Sequence, residues 1–301
     1  MLLSLLSELS KHATRRTAVC VHRQRTVNQA VSASGIGCFS GQEVKIRLCP
    51  QKKGKGIIFK RVDLPKQEEL PARLDFVQAT PRCTVLGKGS VSIQTVEHLL
   101  SALRAYGIDQ ALIEISGPEV PIFDGSALAF VEMIEKAGIR ELDEEKHIVK
   151  IDKPVFWSQG DVHLIALPSD ALRISYTLHY PHTSTIGTQY ASFVISEECY
   201  KSEIAPSRTF SVYEEIAPMI EKGLVKGGSL SNAVVVRENK ILNPEGLRFP
   251  DEMVRHKVLD LIGDLSLIPV CFVAHIIAIR AGHSSNNAFA RELYQEIKRE
   301  C

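Results

Sequence analysis

The sequence lacks the features that would place it in several large classes. No apolar run reaches the roughly 18 to 20 residues of a membrane-spanning helix. The formal net charge is only +1, so no global field marks a nucleic-acid binder. Seven cysteines occur, Cys20, Cys38, Cys49, Cys83, Cys199, Cys271 and Cys301, but the number is odd, the spacings are wide and C-x-x-C is absent. A disulfide framework and a Cys-type zinc knuckle are therefore not expected, and a reducing compartment fits best. H-E-x-x-H is missing, as is H-x-E with P-C-x-x-C. These absences remove the thermolysin-like and nucleoside-deaminase readings. Short repeats and low-complexity tracts are missing too.

Acids are scarce at the start. Glu8 is the only one before Glu43, while Lys11, Arg15, Arg16, Arg23 and Arg25 follow the apolar stretch Met1–Leu9. A secretory signal puts its basic residues first, so export is not expected. An organelle transit segment, a frayed extension and an over-long gene start all fit residues 1–24, which are set apart on that ground. The rest is expected to be cytoplasmic.

What remains is an ordinary globular composition, 45% apolar and 24% charged over 301 residues, enough for one large domain or two of usual size. Alternating or compact apolar runs predict strands at Val44–Leu48, Ile57–Val62, Ala111–Ile115, Val162–Leu167, Arg173–Leu178, Ala233–Arg237 and, as one long strand, Cys271–Ile279. Helices are predicted after a Thr95 cap, over Leu128–Ala137, over Pro250–Ile262 and over Asn287–Arg299. The charge-rich stretch Arg140–Lys150 reads as a linker between two halves, residues 25–142 and 147–301. Each half has strands first and helices on one side, an α+β layout whose two packed layers would bury both sheets. VKIRLCP before residue 51 and VHLIALP before residue 169 hint at a duplication.

Two segments carry candidate chemistry. On the helix within Arg248–Leu265, His256 and Asp260 are four apart and share a face, with Met253, Lys257 and Asp264 close to that stripe, among apolar neighbours. Buried groups of this kind cost several kcal/mol unless paired or bound to metal. Taken alone, the spacing is explained as well by a His–Asp pair on a solvated face. The second segment, TVEHLLSAL (Thr95–Leu103), puts His98 in the first turn of another helix beside Glu97. Alone, it reads as a capping carboxylate. Together the segments supply two imidazoles and a carboxylate, a ligand set that leaves zinc a fourth position, with Glu97 placed like the general base of zinc hydrolases. His283, after Gly282, and Ala205–Phe210 (APSRTF) have equally plain readings as a surface histidine and a cap with a turn.

In one order, TVEHLLSAL, PIFDGSA (Pro121–Ala127), SRTF, GLVKGGSLSNAVVV (Gly223–Val236), RHKVLDLIGDL (Arg255–Leu265) and GHSSNN (Gly282–Asn287) resemble the UDP-3-O-acyl-N-acetylglucosamine deacetylases, zinc amidohydrolases of lipid A synthesis. The resemblance runs from about Arg25 to Glu296. It implies two similar α+β domains packed as a sandwich with helices between the sheets. It also implies zinc, or ferrous ion in the cell, on His98, His256 and Asp260. Glu97 is then the general base and His283 the general acid, with Asp264 orienting it. Lys257 and Thr209 lie at the oxyanion, Phe210 lies by the substrate, and residues 211–236 shape a passage for the acyl chain. The substrate is a UDP-linked, acylated N-acetylglucosamine, and the expected state is a monomer without nucleic-acid partners. A bell-shaped pH–rate profile with Glu97 and His283 on its limbs follows. The family's G-x-G-x-H-[ST]-G is Gly35–Gly41 here, with Phe39 for the histidine, which is not a zinc ligand, so activity is expected to survive. Cys83 matches a cysteine near the metal that could take a second, inhibitory zinc.

Overall fold

The computed structural model describes residues 20–300. Met1–Leu9, the rest of the extension up to residue 19, and Cys301 lie outside them. The first half runs β1 (Cys20–Val27), β2 (Val31–Ile36), β3 (Glu43–Pro50), β4 (Ile57–Arg61), β5 (Glu69–Pro71), β6 (Val77–Ala79), β7 (Val85–Lys88), β8 (Val91–Gln94), α1 (Glu97–Ala105), β9 (Ala111–Ile115), α2 (Leu128–Ala137) and β10 (Ile139–Lys150). The second half runs β11 (Val155–Gln159), β12 (Val162–Leu167), β13 (Arg173–Tyr180), β14 (Gly187–Val194), α3 (Glu197–Cys199), β15 (Phe210–Val212), α4 (Tyr213–Glu221), β16 (Val234–Arg237), β17 (Lys240–Ile241), α5 (Glu252–Leu265), β18 (Cys271–Val273), β19 (His275–Ile279) and α6 (His283–Glu300).

Two five-stranded sheets repeat one plan. The first has the order β2-β3-β9-β4-β5 and the second β11-β12-β19-β13-β14. In each, the one parallel pair joins the third strand in this order to the fourth, β9 to β4 and β19 to β13. The remaining neighbours are antiparallel. The two similar motifs noted in sequence fall on β3 and β12, the second strand of each sheet. Period-2 patterning explains the burial. Val44, Ile46 and Leu48 point inward from β3 while Glu43, Lys45 and Arg47 face out. The helices form the layer between: α2 packs on β2, α5 on β13 and β14, α6 on β11 and β12, and α1 against α5. This is the α+β sandwich the sequence predicts.

Four local readings are corrected. Arg140–Lys150 is not a linker but most of β10, the centre of a β1-β10-β18 sheet. Its acids are strand residues paired across to β1, as in Arg23–Asp143 and Arg25–Glu141. Cys271–Ile279 is not one strand: it breaks at Ala274, so that β18 serves the linking sheet and β19 the second five-stranded sheet. Thr95 does not cap α1. Its φ is +60° and its hydroxyl donates to Glu119 (3.3 Å), while Val96 holds the cap position. Finally, α6 begins at His283 rather than Asn287, which puts His283 in a helical first turn.

Candidate metal and active site

Helices α1 and α5 cross closely enough to merge their polar residues into one cluster. The contact depends on Gly263: a Cβ there would lie 2.1 Å from the Glu97 carbonyl oxygen, a distance no side chain tolerates. This approach sets Glu97 and His98, at the start of α1, beside His256 and Asp260 of α5. The His98 and His256 rings stand edge to face with centroids 4.9 Å apart. Asp260 Oδ1 is 3.7 Å from His98 Nε2 and 3.3 Å from His256 Nε2. All three residues are buried. Among the described residues, they form the one cluster of this kind that could hold a metal ion.

The donor set fits an ion. Around a tetrahedral centre with bonds of about 2.0–2.2 Å, ligand atoms stand about 3.3–3.6 Å apart, close to the two spacings found. Asp260 Oδ1 is buried without a hydrogen-bond partner, although such an atom costs about 1–3 kcal/mol when left unpaired. Asp260 Oδ2 instead accepts from Lys257 Nζ at 2.9 Å. Burial opposes ionisation of Asp260, but His256 and Lys257 overcome it and hold the carboxyl below its usual range. Burial also pushes His98 down to about 3, aided by repulsion from His256, and lowers His256 in the same way. Burial thus favours the neutral form of both rings, the form that ligates. His256 Nδ1 lies 3.0 Å from the Ser207 carbonyl, which takes its proton in a hydrogen bond and leaves Nε2 bare toward the cluster.

Beside this triad lies an acid–base pair. Glu97 Oε1 faces His283 Nε2 at 3.7 Å, and His283 Nδ1 donates to Asp264 Oδ2 at 2.9 Å. Burial pushes Glu97 up to about 7 despite the attraction of His283. Burial would lower His283, but Asp264 and Glu97 outweigh it and raise the imidazole to about 9. Burial works against the Lys257 ammonium too, yet Asp260 holds it above its ordinary value.

The cluster opens into a cavity of about 890 Å³ lined also by Thr209, Phe210, Cys38, Phe39 and Cys83. Thr209 is fixed by its N–H on the Gly125 carbonyl, at 2.8 Å, and by its own carbonyl, which accepts from Val234 N at 2.7 Å. Lys257 Nζ sits 5.7 Å above the Phe210 ring. All nine residues singled out in sequence, Glu97, His98, Thr209, Phe210, His256, Lys257, Asp260, Asp264 and His283, therefore lie in or against one site. Phe39 reaches the cavity wall, and its backbone N–H donates to Glu119 at 2.9 Å, a bond any residue but proline can make there. Cys83 shares the cavity but not the ligand cluster, and burial raises its thiol above the ordinary range.

Several neighbours are given no role by the sequence reading. Thr84 contacts both Glu97 and Asp264. Asn286, inside GHSSNN, donates to Asp264 Oδ2 at 2.8 Å. A fully buried pair, Arg208 and Glu252, locks the loop bearing Ser207, just before β15, to the start of α5. The Glu252 carboxylate accepts from Arg208 N, Nε and Nη2 at 2.9, 2.8 and 3.1 Å, and from Arg248 N at 2.7 Å.

The comparisons with known proteins agree with each other. Residues 24–295 match the family described as LpxC: UDP-3-O-acyl N-acetylglycosamine deacetylase. The chain is similar to the UDP-3-O-acyl-N-acetylglucosamine deacetylase of Chlamydia pneumoniae, 49% identical over 276 residues, 91% of this chain and 98% of that protein. It is 47% identical over 275 residues to the protein of that name from Chlamydia felis, with the same shares covered. A third such protein, from Chlamydia trachomatis serovar L2, is 46% identical over 277 residues, 92% of this chain and 96% of its own length.

Proposed function

The chain belongs to the UDP-3-O-acyl N-acetylglycosamine deacetylase family, and from that premise we propose that it hydrolyses the N-acetyl group of a UDP-linked, 3-O-acylated N-acetylglucosamine, using one zinc ion held by His98, His256 and Asp260. Acetate and the free amine are the products, and the step belongs to lipid A synthesis. The observation that carries the reading is the unpartnered Asp260 Oδ1 between two buried imidazoles, with the Glu97–His283 pair alongside. Ferrous ion suits the same ligands and is the alternative occupant in the cell.

When bound, the ion supplies Lewis-acid polarisation of the acetyl carbonyl and lowers the pKa of water. The chain's own groups do the rest. Glu97 takes a proton from the attacking water through Oε1. His283, held by Asp264, gives a proton to the amine nitrogen as the amide bond breaks. Thr209 and Lys257 donate toward the carbonyl oxygen as it gains charge, and Phe210 packs beside the substrate. Removing one such donor typically costs about 10²–10³-fold in rate. The apolar side chains Ile216, Met219, Ile220, Val225, Leu230 and Leu242 line the same cavity, which supports reading residues 211–236 as the wall of an acyl passage. We read residues 25–142 and 147–301 as two domains of one plan, supported by their repeated sheet order. A site complete within one chain supports a monomer, and we place its work in the cytoplasm. No helix among the described residues is long and apolar enough to cross a membrane.

The test is metal content measured together with deacetylation, on wild type and on His256→Ala. One equivalent of zinc and turnover, both lost in the variant, is the expected result. Zinc bound without turnover in the wild type would overturn the substrate and keep the metal site. A variant that retains both would overturn the site.

A further inference from the structure

We propose that Thr84 is a positioning residue that fixes both proton-transfer groups at once, its backbone holding Glu97 and its hydroxyl holding Asp264. The inference rests on the roles given above to Glu97 and His283.

Thr84 precedes β7 and is fully buried. Its N–H donates to Glu97 Oε2 at 3.1 Å, and its hydroxyl donates to Asp264 Oδ1 at 2.5 Å. The second bond joins positions 180 residues apart, one in each half of the chain. The direction of the hydroxyl is determined by its neighbours. Asn287 Nδ2, a donor only, approaches Thr84 Oγ1 at 3.4 Å, so the single hydroxyl hydrogen is left for the carboxylate.

Two consequences follow for the reacting groups. Asp264 receives Thr84 on Oδ1, and His283 and Asn286 on Oδ2, at 2.5, 2.9 and 2.8 Å. A carboxylate that accepts from three donors is locked in orientation and presents the imidazole with an acceptor, not with a proton. His283 Nε2 is thereby aimed at the reaction centre. Glu97, tied to backbone through Oε2, has only Oε1 free, and that oxygen faces His283 Nε2 at 3.7 Å. A single residue thus sets the separation of base and acid. Neither bond made by Thr84 itself reaches His98, His256 or Asp260, so a change at Thr84 should affect proton transfer and not ion retention. The hydroxyl is the essential part: valine has threonine's shape but would leave Asp264 Oδ1 buried and unpaired, whereas serine keeps the donor.

The experiment compares Thr84→Val and Thr84→Ser with wild type for kcat, KM and zinc content, with Glu97→Ala and His283→Ala in parallel. Partners of this kind typically account for about 10–100-fold. For Thr84→Val we expect a kcat loss of about that size, with unchanged KM and a full complement of zinc, and for Thr84→Ser recovery to near wild type. Thr84→Ala reads the same quantities in place of a valine variant that does not fold. Wild-type kcat in Thr84→Val, or a serine variant as slow as the valine one, would overturn the assignment. Zinc loss or a KM rise matching the kcat loss would overturn it as well, by marking a general loosening. Undiminished turnover in Glu97→Ala and His283→Ala would instead remove the roles beneath it. Loss there, with none in Thr84→Val, removes the Thr84 assignment alone.

Discussion

Glu97 touches no member of the proposed ligand set through a hydrogen bond, so its removal can be separated from metal loss. In Glu97→Ala we expect kcat to fall by about 10²–10⁴-fold with zinc content unchanged by elemental analysis; a variant that turns over normally would end its role as base. The ligand residues are legible in part because side-chain chemistry is written in sequence: TVEHL and RHKVLD supply two imidazoles and a carboxylate, whereas the role of His283 comes only from the resemblance. What was illegible is what the backbone supplies. The Ser207 carbonyl that sets the His256 tautomer and the Thr84 N–H that holds Glu97 are present in every peptide unit, so residue type gives no sign of them. The same reasoning bounds the effect of Phe39. Its anchor to Glu119 is a backbone N–H, which leaves the phenyl ring as the change at the cavity wall.

Between elements, the decisive contact is α1 on α5 at Gly263. A methyl group at 2.1 Å from the Glu97 carbonyl must push the helices apart. Gly263→Ala should cost about 1–3 kcal/mol and weaken zinc retention, read by denaturant unfolding and by chelator competition; unchanged affinity would show that the site tolerates the shift. The Arg208–Glu252 pair makes a pH-dependent prediction. Burial acts to raise the Glu252 carboxyl, but hydrogen bonds from Arg208 win and hold it below 4.5. A group depressed in the folded state contributes stability above its unfolded pKa, and that contribution is lost as pH falls through the folded value. Glu252→Gln should therefore destabilise by about 3–5 kcal/mol near neutrality, with the deficit relative to wild type shrinking as pH drops below 4.5. A pH-independent deficit would show that packing, not charge, is lost. At this scale the sequence misled where pairing overrode composition. Arg140–Lys150 reads as a solvated linker because its charges are plentiful, yet residues 139–141 and 145–148 lie opposite β1, and an edge-to-edge partner cannot be seen from one strand. The helix Leu128–Ala137 and the strands Ala111–Ile115 and Val162–Leu167 were readable to the residue, since their periodicity and bounding turns are local.

Across the whole molecule, a repeated five-stranded plan was only hinted at by two short similar strings, because sheet order is a long-range property that no window of sequence contains. The cavity runs from the ligand cluster to the apolar wall around α4, so shortening the substrate's acyl chain should lower kcat/KM sharply. Equal values for long and short chains would argue against the passage. His98 comes from the first half, while His256 and Asp260 come from the second. An ion held by these three would clasp the two halves together, fully bound only when they are docked. Resistance to heat should climb with free zinc as mass action requires, by about 2.7 kcal/mol at a hundredfold excess over Kd. A chelator should act as a denaturant of the seam before it unfolds either sheet.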